Sequence, residues 1–214
     1  MVLQFPRLKT VLMICVFVIV TSRKDVVAKK TPYCKRVTDG SSLKENTLKD
    51  LKDLGYWVGV VIQVENWTRY PLLYPTVRLS GGTMATVPTT LLPCKREAFM
   101  VRKASFAGKG SYGTVSWEVY GANRLFVIMW SAPYNFDFYS NWLGLGMTKK
   151  GHTTVASGET WFDQMYDGNS DSNFEFHRKE YDDTEDPLTW WDSEFHIRSV
   201  MTTEHNAQVN VTFK

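Results

Sequence analysis

The spacing of apolar residues along the chain changes character several times. Residues 11–20 form an unbroken apolar run, V-L-M-I-C-V-F-V-I-V, with Arg7 and Lys9 before it and Thr21 and Ser22 after it. A charged, then apolar, then small-residue order is that of a secretory leader. Ten apolar residues are about half of what a membrane-crossing helix needs. Residues 1–22 are therefore expected to be a signal peptide. Further on, Leu43, Leu48, Leu51 and Leu54 fall within one arc of about 140° at helical pitch. Lys49, Asp50, Lys52 and Asp53 lie opposite. Ser41 or Ser42 would cap this helix, with Glu45 closing a capping box three residues after Ser42. Glu45 and Lys49 make a favourable i,i+4 pair, and Gly55 supplies a stop.

After Gly55 the pattern becomes strand-like. Residues 56–64 are rich in β-branched and aromatic side chains, and short runs follow at 72–78, 98–103, 114–120, 125–130 and 207–213. In the last run Val209, Val211 and Phe213 alternate. Gly, Pro, Asn and Asp separate the runs at the spacing of an all-β sandwich. A second helix is expected over 158–166 with Ser157 as cap, then an acidic loop over 168–186. The expected architecture is mainly β: one β-sandwich flanked by two short α-helices, spanning 37–214.

Composition narrows the function. The formal charge is +3 and aromatics make up 14% of the chain. That charge is too small, and too scattered, for a nucleic-acid surface. The four histidines, His152, His177, His196 and His205, are dispersed, and none has the helical pair spacing of a zinc protease. Gly108, Gly110 and Gly113 spell G-x-G-x-x-G, but a strand rather than a helix follows, so the dinucleotide reading fails. Asp182, Asp183, Glu185 and Asp186 lack calcium-loop spacing. No catalytic constellation, metal site or cofactor is expected, and the chain does not read as an enzyme.

The basic pairs Arg23-Lys24, Lys29-Lys30 and Lys35-Arg36 suggest a propeptide over 23–36. Cys15 belongs to the leader, which leaves Cys34 and Cys94. Processing after Lys30 keeps Cys34 available to pair with Cys94 in an oxidising compartment; processing after Arg36 puts it outside the mature chain. The sequence leaves both open. Asn66-Trp-Thr68 and Asn210-Val-Thr212 are glycosylation sequons.

The most unusual stretch is 130–142, W-S-A-P-Y-N-F-D-F-Y-S-N-W. Rings interleaved with Asn, Asp and Ser suit a bilayer interface, where one end of the side chain is apolar and the other wet. They also suit choline, whose quaternary ammonium is held on ring faces at about 0.5–2 kcal/mol per contact. This segment closely resembles the aromatic loop of the actinoporins, S-V-P-Y-D-Y-N-W-Y-S-N-W-W. In the same order along the chain, V-T-D-G-S-S-L at 37–43 resembles their V-I-D-G-A-S-L. R-L-S-G at 78–81 resembles R-S-G, S-Y-G-T-V-S-W at 111–117 resembles A-V-G-V-L-A-Y, and W-F-D-Q-M-Y at 161–166 resembles M-Y-E-E-L-Y.

The resemblance implies a secreted pore-forming toxin, monomeric in solution, acting on target-cell membranes, with a nematocyst as one source. Such a protein would bind phosphatidylcholine or sphingomyelin, insert its N-terminal helix and assemble as a homo-oligomer into a cation-conducting, cytolytic and haemolytic pore. By correspondence, Arg78, Ser80, Tyr112, Ser131, Pro133, Tyr139, Phe162 and Tyr166 would bind phosphocholine. Phe138 and Trp142 would contact the membrane, and Leu43, Leu48, Leu51 and Leu54 would form the apolar face of the pore helix. Phe138 and Leu143 stand where the family has tryptophans, Phe162 and Asp167 where it has tyrosines, and its R-G-D triplet is absent. The rival expectation is a secreted lectin-like or lipid-binding sandwich that makes no pore.

Overall fold

Where apolar residues alternate, the chain pairs into two sheets. The computed structural model describes residues 33–44 and 47–214. In chain order the strands are β1 (Thr38–Asp39), β2 (Gly59–Asn66), β3 (Leu72–Gly81), β4 (Thr83–Met84), β5 (Lys95–Arg102), β6 (Ser111–Val119), β7 (Arg124–Ala132), β8 (Asn141–Thr148), β9 (Phe174–Tyr181), β10 (Leu188–Trp191), β11 (His196–Met201) and β12 (Asn206–Phe213). The first sheet runs β1-β5-β2-β12-β11-β10, with β4 on β5. The second runs β3-β6-β7-β8-β9. Helix α1 (Leu48–Lys52) lies on the first sheet and α2 (Thr160–Tyr166) on the second.

Between the sheets, Val60, Ile62, Val64, Phe99 and Val101 meet Val115, Trp117, Phe126, Ile128 and Trp130, all buried. Trp117 stacks on Phe126, which in turn contacts Phe213 at 4.9 Å between ring centres. Each of these side chains contributes about 1.5–3 kcal/mol by leaving water. The outer face of the second sheet buries Leu125, Val127, Met129, Phe174 and Phe176 under Trp161, Phe162 and Met165 of α2. Gly144 permits this close approach: a Cβ there would lie 2.7 Å from the Met165 Cε.

The β-sandwich with two short helices is as expected, but several local readings are corrected. The helix anticipated from Ser41 or Ser42 to Leu54 is broken. Ser41–Leu43 form a single 3₁₀ turn, and α1 begins only after Thr47. The capping box of α1 is Thr47 with Asp50. Ser42 is engaged elsewhere: its amide and hydroxyl donate to Glu97, and its hydroxyl accepts from the Ala98 amide at 2.8 Å. Of the four leucines, Leu43 and Leu51 are buried against Val61, Ala98 and Met100. Leu48 is partly buried against the same cluster, and Leu54 is exposed. Gly55 does end the segment, with a positive φ of 77°.

The acidic stretch expected to be a loop contains β9. It was hidden because its Phe174 and Phe176 alternate with charged neighbours at a sheet edge. The helix expected from residue 158 begins at Thr160, whose amide and hydroxyl donate to the Ser157 carbonyl. Asn66 of the first sequon is buried, its side chain bonded to Tyr70, Leu91 and Thr68. The expected leader over 1–22, Cys15, most of the 23–36 segment and Glu45 lie outside the described residues.

Candidate lipid-headgroup site

At one end of the second sheet, three strands place Tyr112, Ser131 and Trp142 directly abreast. Directly paired residues share a sheet face, here the face covered by α2. Phe162 and Tyr166, one helical turn apart on α2, stack at 5.4 Å and 15°. Tyr112 packs against Phe162 at 5.3 Å, and Trp142 meets Tyr166 edge-on at 5.6 Å. The result is a continuous row of rings, Tyr112–Phe162–Tyr166–Trp142. Arg178 of β9 fixes the helix carrying two of them by donating to the Met165 and Gly168 carbonyls at 3.0 and 2.9 Å.

Beside this row opens a cavity of about 370 Å³ lined by Tyr112, Ser131, Pro133, Tyr139, Phe162 and Tyr166, together with residues 108–110, Tyr134 and Asn135. Six of the eight residues expected to bind a headgroup are thus brought together. Arg78 and Ser80 are not among the lining residues. Arg78 is exposed on β3 opposite Thr114. Ser80 sits in the β3 irregularity next to Gly81, and its buried hydroxyl finds no hydrogen-bond partner among the described residues.

Lys109, Tyr134 and Asn135 enter the site without having been expected. The glycines at 108 and 110 were noticed only as a failed nucleotide motif, yet they shape the rim. A Cβ on Gly110 would fall 1.9 Å from the Ala132 carbonyl oxygen, so only glycine lets the chain pass here.

Lys109 is the basic residue of the lining. Burial raises Tyr166 above the ordinary phenol range, and the carboxylates of Asp167 and Glu180 and the nearby Tyr139 push the same way. Tyr166 therefore keeps its proton at neutral pH.

The same end of the sandwich is unusually apolar. Phe138 is 78% exposed, Tyr139 63% and Trp57 75%, and Phe106 is fully exposed in the segment joining β5 to β6. Trp57 and Phe136 both contact His205 in the turn before β12, and Lys103 caps the Tyr134 ring at 5.2 Å. Trp142, expected to project outward, is instead half-buried within the ring row. The exposure of Phe106, a single ring between short runs, and of Trp57, read as part of the strand-like run 56–64, left no sequence signal.

No model of a protein family matches the chain. It is 51% identical over 181 residues to Tereporin-Ca1 of Terebra anilis, covering 83% of this chain and 95% of that protein. Conoporin-Cn1 of Conus consors is 40% identical over 99% of this chain and 87% of its own length. Hydra actinoporin-like toxin 6 of Hydra vulgaris is 29% identical over 54% of this chain and 58% of its own length. The chain belongs to the actinoporin-like family of pore-forming toxins. Among solved structures, the lipid-binding protein Nakanori superposes with a TM-score of 0.62 at 16% identity, over 78% of this chain and 76% of its own, which is a likeness of fold. The relatives of this actinoporin-like chain are named as toxins and porins. No helix among the described residues is long and apolar enough to cross a membrane.

Proposed function

We propose that this protein is a secreted toxin that docks on phosphocholine headgroups through the ring-lined cavity. Its N-terminal segment then leaves the first sheet and enters the bilayer as the apolar face of a homo-oligomeric, cation-conducting pore. The observation that carries the reading is the row Tyr112–Phe162–Tyr166–Trp142 beside a cavity that Lys109 also lines, with the Asp167 and Glu180 carboxylates acting on Tyr166. The quaternary ammonium lies on the Tyr139–Tyr166 side, where ring faces and the Asp167 and Glu180 charges attract it. The phosphate lies toward Lys109 and the hydroxyls of Tyr112 and Ser131. Lys109 takes the role that the resemblance assigned to Arg78.

Magnitudes limit what one headgroup can do. Two or three ring contacts at about 0.5–2 kcal/mol each amount to a few kcal/mol, which is millimolar affinity. Tight adhesion therefore needs the exposed end as well. Sinking Phe138 into the acyl boundary adds about 1.5–3 kcal/mol, and Phe106 and Trp57 act in the same direction.

A second reading, a lipid-binding module that makes no pore, is favoured by one observation: α1 has only five residues. Dye release and co-sedimentation on the same phosphatidylcholine vesicles, with and without sphingomyelin, separate the two. Release together with binding supports the toxin reading; binding without release leaves the module. Binding equal on vesicles lacking phosphocholine would refute the cavity.

A further inference from the structure

The N-terminal segment is fastened at both ends, and the two fastenings lie at opposite ends of the sandwich. Gly55 to Val58 join it to β2 beside Trp57 and His205, at the exposed aromatic end. Its other end carries Cys34, buried and disulfide-bonded to Cys94. The Cys94 amide donates to the carbonyl of Asn66, the last residue of β2. The β2–β5 register runs from Gly59 opposite Arg102 to Glu65 opposite Arg96, about 20 Å at ~3.3 Å per residue. Between the fastenings the segment is held by noncovalent contacts. Thr38 and Asp39 pair with Lys95 and Arg96, Asp39 binds Arg96, and Glu97 accepts from both amides and both hydroxyls of Ser41 and Ser42.

We propose that the Cys34–Cys94 disulfide locks this segment on the sheet, and that hydrolysis of the Arg36–Val37 peptide bond unlocks it. This rests on the reading that the segment enters the bilayer. Geometry supplies the reason. About 24 residues separate Cys34 from Val58, reaching at most ~80 Å fully extended. A helical crossing of the ~30 Å hydrocarbon layer consumes about 20 of them. The remaining few would have to return across the bilayer and up the sandwich, some 50 Å, but reach only ~14 Å. With the lock closed, no helix from this segment spans a membrane.

Lys35 and Arg36 are both exposed immediately after the lock. A dibasic-specific endoprotease adding water across the Arg36–Val37 bond leaves a carboxylate on Arg36 and an amine on Val37. The stub bearing Cys34 stays on Cys94, while residues 37–55 become free to swing about Gly55. As a helix they extend about 28 Å. The cut changes nothing in the core, and the contacts of Glu97, Leu43 and Leu51 then hold the segment until the membrane competes for it.

The test uses the secreted chain still carrying Cys34, uncut and oxidised, on phosphatidylcholine–sphingomyelin vesicles. Mass spectrometry verifies the cut after Arg36, and non-reducing electrophoresis verifies the retained stub. Uncut protein is expected to bind vesicles as well as cut protein but to release dye at least tenfold more slowly. Reductant should restore release to uncut protein. Arg36→Gln should stay silent under the protease and respond to reductant. Uncut, oxidised protein releasing dye as fast as cut protein overturns the lock alone. Vesicle binding without release from cut and reduced protein alike overturns the pore reading, and the lock with it.

Discussion

Replacing Glu97 with Ala removes the carboxylate that holds the start of the N-terminal segment. The Ser41 and Ser42 amides donate to its two oxygens at 2.8 and 2.7 Å, and both hydroxyls also donate to it. Hydrogen bonds to a charged group contribute about 1.5–3 kcal/mol each. The site is only partly buried, so water replaces some of this in the variant. Counting the two amide bonds at the low end gives a net loss of about 2–4 kcal/mol. That corresponds to a roughly 30- to 1,000-fold rise in local opening, at ~1.4 kcal/mol per decade. Native-state hydrogen exchange reads this directly. The Ser42 and Leu43 amides should exchange faster by that factor, while Ile62 and Ile128 in the core should change far less. An acceleration below about twofold would show that Leu43 and Leu51 hold the segment without the carboxylate, and would refute the clamp.

Other consequences follow from the cavity and from one buried ion pair. Tyr166→Ala and Tyr139→Ala should each weaken binding to phosphatidylcholine vesicles about tenfold in co-sedimentation, with folding checked by circular dichroism. Lys109→Ala should weaken binding several-fold and flatten its salt dependence, whereas Arg78→Ala should stay within about twofold; the reverse ranking would return the phosphate to Arg78. Arg124 is buried and bonded to Asp192 at 2.5 Å. Burial raises the Asp192 carboxyl, but the Phe195 and Glu194 amides and the Arg124 guanidinium outweigh it and hold the group below the usual value of 3.8. A carboxyl depressed in the folded state stabilises the fold above its unfolded value, and this is lost as pH falls through the folded value. Asp192→Asn should therefore cost about 3 kcal/mol near neutrality, because it removes the nearer carboxylate from a buried guanidinium and leaves only Glu194, at 3.8 Å. Urea titrations of that variant should also show a shallower loss of stability below pH 4.

The sheets were legible in the sequence where alternation was clean, as at Val209, Val211 and Phe213. They were hidden where a strand carried charge on its outward positions, as in β9, or glycines in place of apolar side chains, as in β8. The N-terminal leucines do lie on one helical arc, yet the folded protein breaks the helix because Ser42 satisfies Glu97 and Ala98 rather than the first turn. On the sheet only Leu48–Lys52 keep the α-helical form that the periodicity predicts. Of the six expected residues that line the cavity, Tyr112 and Ser131 share a face of adjacent strands, Phe162 and Tyr166 one turn of α2, and Pro133 and Tyr139 the loop between β7 and β8; each is named by correspondence with the family's motifs. Lys109 escaped notice because its place in the lining depends on Gly110 passing close to Ala132 and Pro133, which no local pattern records. Arg78 was expected by the same correspondence but sits on the neighbouring strand β3 outside the lining, since a motif match does not fix which residues line a cavity.

Soluble phosphocholine titrated into the labelled protein, followed by amide and aromatic NMR shifts, tests the headgroup cavity without a membrane. The expected result is saturable, millimolar perturbation centred on Tyr112, Lys109, Phe162 and Tyr166, abolished in Tyr166→Ala. Perturbations centred elsewhere, or none at tens of millimolar, would contradict phosphocholine recognition by this site.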